Sequence, residues 1–168
     1  MSQSLETQRD REQQGLALFS LQRHMQKLGM GPVRFNQTPE ELMLCYDAEM
    51  WVHGKFVGVV EVKAISYSGN DVERWGHLML KKSQLARQRH EFFRRSEISN
   101  KPYWTKQVLI LVRCIRDDRA WAINLEDVMA VWNESEVVPP EFCKSDHGKD
   151  ESDIEHRYIK LQHWEPIV

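Results

Sequence analysis

The sequence predicts an α/β domain in which a mixed β-sheet is flanked by helices. Three observations carry that prediction. Residues 42–52 and 56–65 are two runs rich in apolar, β-branched and aromatic side chains, joined by His53-Gly54-Lys55, and together they read as a hairpin. Residues 108–115 and 120–124 repeat the pattern across the turn Arg116-Asp117-Asp118-Arg119. Around these pairs lie stretches with helical spacing of apolar residues, so the expected order is helix, hairpin, helix, hairpin, helix.

Residues 1–9 are polar and expected to fray. From about Arg9 to Leu28 the spacing predicts a helix, with Leu16, Leu18, Phe19, Leu21, Met25 and Leu28 mostly on one stripe, closed by the segment from Gly29 to Pro32. Thr38 reads as the cap of a short turn or helical start over Thr38-Pro39-Glu40-Glu41. In the hairpin that follows, pairing Val52 with Phe56 across a three-residue loop sets Asp47 opposite Glu61; a slip of one residue would put the two acids on opposite faces. Residues 66–71 are expected as a polar loop and 72–95 as helical, most clearly 82–93. After the second hairpin come a short helix over 125–132, a break at Val137-Val138-Pro139-Pro140, an exposed acidic loop over 144–155 and a terminal strand within 156–164. One domain, 1–168, is expected, with 1–9 and about 144–155 flexible.

Composition narrows the function. Lys and Arg number 23 against 25 Asp and Glu, for a net charge of −2, so any contact with nucleic acid needs charge segregated within the molecule. Such segregation is visible: residues 81–95 are strongly basic and 134–155 rich in acids. Cys45, Cys114 and Cys143 are scattered at no motif spacing, which suits a reducing cytosol better than a disulfide framework. No apolar run reaches membrane-spanning length and no signal peptide opens the chain, so a cytoplasmic protein without membrane contact is expected.

The chemistry concentrates at Glu61-Val62-Lys63, an acid and a lysine inside an apolar strand. Strand side chains alternate faces, so the two point the same way, roughly 6.7 Å apart along the strand. Burying such charges is costly unless they are paired, metal-bound or at a sheet end. Asp47 on the partner strand supplies a second carboxylate. Mg²⁺ takes oxygen ligands and typically uses one or two carboxylates with waters and a phosphate, so Asp47, Glu61 and the backbone carbonyl of Val62 form a candidate ligand set. Lys63 beside it is suited to hold an attacking water or to stabilise charge developing on phosphorus.

Asp47, followed after thirteen intervening residues by Glu61-Val62-Lys63 on a hydrophobic strand, resembles the PD-(D/E)XK nuclease superfamily. The resemblance covers roughly Arg9 to Asn124 and implies a restriction-endonuclease-like or resolvase-like core of α-β-β-β-α-β order. It implies a Mg²⁺-dependent nuclease, with Mn²⁺ able to substitute, that cuts phosphodiester bonds of DNA, and it suggests a phage-encoded protein. Many members carry an additional glutamate on the first helix, and Glu12 is the best candidate for that role here. Lys82 and Gln84, in Lys81-Lys82-Ser83-Gln84-Leu85, resemble Lys/Gln patterns that follow the E-x-K strand in some members. The implied catalytic residues are therefore Asp47, Glu61, Lys63, Glu12 and Gln84, and Lys81, Lys82, Arg87 and Arg89 are the implied phosphate contacts. The sequence departs from the pattern in having Tyr46, not proline, before Asp47.

The competing readings are a partly exposed salt-bridge cluster for Asp47, Glu61 and Lys63, an ordinary helix carboxylate for Glu12, and solvated helix faces for Lys82, Gln84 and the arginines. A catalytically inactive protein of the same fold that binds nucleic acid or a protein partner is the alternative function. Cys143, His147, His156 and His163 match no zinc spacing. Trp75 and Trp104 are candidates to stack on bases. No glycine-rich phosphate loop and no nucleophile elbow is present. Cutting both strands of a duplex with one site per chain calls for two chains, so a homodimer is compatible with the reading.

Overall fold

Twenty-three residues without proline, from Leu5 to Lys27, form helix α1. The structure, a computed structural model, describes residues 5–39, 46–86, 107–144 and 148–168. Ala17, Leu18, Leu21 and Met25 of α1 are buried against the sheet, whereas Leu16, Phe19 and Leu28 are exposed. The single stripe expected for these residues therefore splits. At 3.6 residues per turn, Leu16 and Phe19 sit on the side of the cylinder away from Leu18 and Leu21.

Strand β1 (Val33–Gln37), not anticipated from the sequence, pairs antiparallel with β2 (Ala48–Val52). β2 turns into β3 (Lys55–Ile65) through His53 and Gly54, with φ of 50° and 75°, the positive pair that a two-residue hairpin turn requires. Val52 thus pairs with Lys55, not Phe56 as a three-residue loop would have it. A bulge next to Met50 and Trp51 then adds one residue to β3, and beyond it Ala48 faces Val60. The shorter loop and the bulge offset one another, so the pairing of Ala48 with Val60 is the register that the sequence predicts, and the ladder ends there, one residue short of Asp47 and Glu61.

β3 lies parallel to β5 (Gln107–Cys114), with Glu61 beside Ile110 and Lys63 beside Val112. Gly58 begins this pairing, and a Cβ there would run into the backbone of Gln107. β5 turns back as β6 (Ala120–Asn124), and β9 (Glu165–Ile167) closes a mixed sheet of order β1-β2-β3-β5-β6-β9.

Between β3 and β5 the chain crosses the other face of the sheet. Ser68 and Asp71 form a reciprocal cap that starts α2 (Gly69–Trp75), in what the sequence suggested was loop, and Gly76 at φ 75° ends it. The long helix expected over 72–95 is thereby cut. His77–Lys81 is strand β4, whose alternation buries Leu78 and Leu80, and residues 82–86 are helical again as α3. The remainder of that expected helix lies outside the described residues. α4 (Leu125–Val131) follows β6, capped by Asn124. β7 (Glu136–Val137) and β8 (His156–Lys160) join β4 in a small sheet of order β4-β8-β7, so the anticipated terminal strand belongs to this second sheet.

The result is layered. α1 covers one face of the large sheet, packing on Val33, Ala48, Met50, Val60 and Val62. The other face carries Val59, Ile110 and Val112, and is covered by α2, β4, α3, α4 and β8 through Val72, Leu80, Leu85, Val128 and Ile159. Among the described residues no helix is long and apolar enough to cross a membrane.

Candidate active site

β2 begins at Ala48, so Asp47 stands at the point where β2 stops covering its neighbour β3. Three hydrogen bonds fix it there. Its N–H donates to the Val60 carbonyl at 2.9 Å, the Thr38 N–H donates to its carbonyl at 2.8 Å, and the Thr38 hydroxyl donates to the Tyr46 carbonyl at 2.9 Å. Thr38 therefore clamps the entry to β2, whatever the residues after Pro39 do; residues 40–45 lie outside the described set.

The Asp47 carboxylate closes the ladder that β2 leaves open. Oδ2 accepts the Val62 N–H at 2.7 Å, and Oδ1 accepts the side-chain amide of Gln14 on α1 at 3.0 Å. Asp47 thus brackets Glu61, with its backbone bonded to residue 60 and its side chain to residue 62. In a strand the N–H and C=O of one residue point to the same side. The Val62 carbonyl therefore points toward Asp47 as well. Burial pushes the Asp47 carboxyl up to about 6, against the Val62 N–H and the charge of Arg11, which pull it down. An acid whose charged form burial disfavours is one whose charged form gains from a nearby cation.

Glu61 and Lys63 alternate with the buried Val60 and Val62, so they project from the sheet face opposite α1, as Val59 does. There the side-chain amide of Gln84 on α3 donates to Oε1 of Glu61. Gln84 is 6% exposed, and its own oxygen is buried with no hydrogen-bond partner among the described residues. An orphaned acceptor beside a carboxylate is an arrangement that a cation or a donor from a ligand would satisfy. The carboxylates of Asp47 and Glu61, the Val62 carbonyl and the Gln84 amide oxygen are the kind of hard donor that Mg²⁺ takes, Asp47 held from the α1 side through Gln14 and Glu61 from the opposite face through Gln84. Among the described residues no three His, Cys, Asp or Glu side chains cluster as metal ligands, so the set rests on two acids and neutral oxygens.

The fold is shared with a viral nuclease. A nuclease from a fusselovirus superposes with a TM-score of 0.50 over 98% of this chain and 89% of its own, at 14% sequence identity. At that identity the likeness concerns the fold. No protein-family model matches the chain, and no curated protein sequence matches it significantly.

The other sequence-derived candidates are placed differently. Glu12 is exposed on α1, and helical phase turns it away from the face that carries Gln14. Lys81 belongs to β4, not to a basic helix, and its ammonium lies 3.2 Å from Glu151. Lys82, at the start of α3, lies 3.2 Å from Glu155. The acidic segment expected as an exposed loop supplies both partners, and the Glu151 side chain is only 13% exposed. Arg87, Arg89 and Trp104 lie outside the described residues. Trp75 is 40% exposed at the end of α2, edge-on to Tyr67 at 4.8 Å.

Gln14 and Arg11 went unremarked in the sequence. Gln14 sits one helical turn before Ala17 and Leu18, continuing the stripe that packs on the sheet. A polar residue in line with a buried stripe was the available signal.

Proposed function

We propose that this chain is a metal-dependent nuclease of the PD-(D/E)XK type that hydrolyses phosphodiester bonds of DNA. The observation that supports the reading is the seating of the Asp47 carboxylate, just before β2, on the N–H of Val62, the residue between Glu61 and Lys63. The fold held in common with a viral nuclease supports it.

Asp47, Glu61 and the Val62 carbonyl would hold the cation, Mg²⁺ with Mn²⁺ as a substitute, and it would supply a water of lowered pKa and neutralise phosphate charge. Val62 and Gln14 orient the Asp47 carboxylate through its two oxygens, and Gln84 orients Glu61. Lys63, on the same face as Glu61, presents its ammonium to the attacking water or to charge developing on phosphorus. Lys82, 64% exposed, exchanges the Glu155 carboxylate for a phosphate oxygen when nucleic acid binds; Lys81, Arg87 and Arg89 are the further phosphate contacts of this reading.

The test is a cleavage assay on single-stranded, double-stranded and branched DNA, with RNA alongside, in Mg²⁺ or Mn²⁺. The wild type cuts DNA, and Glu61→Ala and Lys63→Ala each lower the rate by about 10²–10⁴-fold with an unchanged circular dichroism spectrum. A wild type that cuts neither DNA nor RNA with either cation overturns the reading. If calorimetry then also finds no Mg²⁺ binding that depends on Asp47 and Glu61, the non-catalytic alternative takes its place.

A further inference from the structure

The outward face of α1 carries a seam of exposed residues spaced alternately by four and three: Leu5, Arg9, Glu12, Leu16, Phe19, Arg23 and Gln26. Spacing that averages 3.5 residues keeps a seam straight against a partner helix. Leu16 is 44% and Phe19 58% exposed, and the Arg23 guanidinium lies over the Phe19 ring at 5.9 Å. Single exposed apolar residues need no explanation, but here two stand one turn apart with a charge on either side.

The order of the seam is the informative part. Consider a two-fold axis that crosses α1 between Ala17 and Leu18. Leu16 of one copy then meets Phe19 of the other, and Glu12 meets Arg23. Farther out Arg9 meets Gln26, and Leu5 (75% exposed) meets Met30 (42% exposed), just past the helix end. Each apolar residue finds an apolar partner and the acid finds the arginine, twice over. Such mirrored complementarity is what an isologous interface demands, and an unrelated partner would not require it. The helix is roughly 34 Å long, enough for the four paired layers to engage together.

We propose that two copies of this chain associate through antiparallel packing of α1 on α1, with Leu16 and Phe19 at the centre and reciprocal Glu12–Arg23 ion pairs flanking them. The inference does not depend on the nuclease reading, because it rests on the face of α1 turned away from Asp47.

Charge reversal tests it with the full chain. Sedimentation equilibrium of the wild type shows a concentration-dependent dimer. Glu12→Arg sets two guanidinium groups against each other at both ends of the central contact, and Arg23→Glu sets two carboxylates there. Each variant alone therefore dimerises at least about tenfold more weakly. Mixed in equal amounts, the two restore a dimer, since in the heterodimer each introduced charge meets its opposite in the other chain. Both positions are exposed, so circular dichroism is expected to show native folds; Phe19→Ser, weakening the dimer by removing the central contact, serves as an independent variant. A wild type monomeric at its highest soluble concentration overturns the proposal. So do a dimer insensitive to the single reversals and a mixture that stays monomeric.

Discussion

The inward and outward faces of α1 are built from the same kinds of residue and meet different surroundings. Leu18, Leu21 and Met25 pack on the sheet beside Gln14, whose amide holds Asp47. Leu16 and Phe19 face solvent between Glu12 and Arg23. Residue type does not separate the two sets; helical phase does. A leucine or a carboxamide on the inner stripe reaches β1, β2 and β3, and through them the site. The same chemistry half a turn away is available only to another molecule.

The comparison breaks most severely in the core. Leu21→Ala on the inner face removes a side chain that is 3% exposed, and is expected to cost about 2–5 kcal/mol of unfolding free energy. Leu16→Ala on the outer face is expected to stay within about 0.5 kcal/mol when measured at protein concentrations too low for association. Urea titrations of both variants check the contrast, and equal losses would erase the distinction between the faces.

Protonation sharpens it next. Asp47 is an acid whose folded pKa, about 6, lies above its ordinary 3.8. Its protonated form is therefore favoured by folding. The corresponding stability is fully present below the ordinary value and is lost as pH rises through about 6. In chelator-treated buffer, the wild type should lose on the order of 2 kcal/mol relative to Asp47→Asn between pH 4 and pH 7. Asparagine at this position keeps an acceptor for the Val62 N–H without the charge. Parallel pH profiles of the two proteins would sink the assignment.

How much of this was legible depended on the distance over which each contact is made. The register that pairs Ala48 with Val60 was readable because a hairpin pairs residues close in sequence. Even there, the two-residue turn and the compensating bulge were hidden, since both depend on backbone conformations at His53, Gly54 and Val57 that apolar patterning does not encode. β4 was lost because Leu78 and Leu80 follow a genuine helix directly, with only Gly76 to mark the break. Lys81 and Lys82 looked like part of an open basic surface because the carboxylates that meet them, Glu151 and Glu155, lie 70 and 73 residues away. β1 was short and half polar, and nothing within it announced the sheet edge it completes.

Glu12 and Gln14 pose the finest version of the comparison, two residues apart on one helix and on opposite sides of it. By family resemblance the helix was expected to bring a glutamate to the metal site; in this chain the side chain that reaches Asp47 is an amide. An amide adds no negative charge to a carboxylate that burial already disfavours, and it fixes Oδ1 while leaving the second oxygen to Val62. Gln14→Ala removes that hold. The hydrogen bond is partly buried, so the expected loss is about 1 kcal/mol of stability, with Mg²⁺ affinity lowered by about fivefold as the carboxylate gains freedom. If the proposed cation site holds, Glu12→Ala, compared at the same dilute concentration, is expected to leave Mg²⁺ affinity unchanged. Calorimetric titration of the two variants separates the faces: weakened binding in Glu12→Ala with native binding in Gln14→Ala would assign the metal-facing role to the glutamate after all, and α1 would have to rotate to satisfy it.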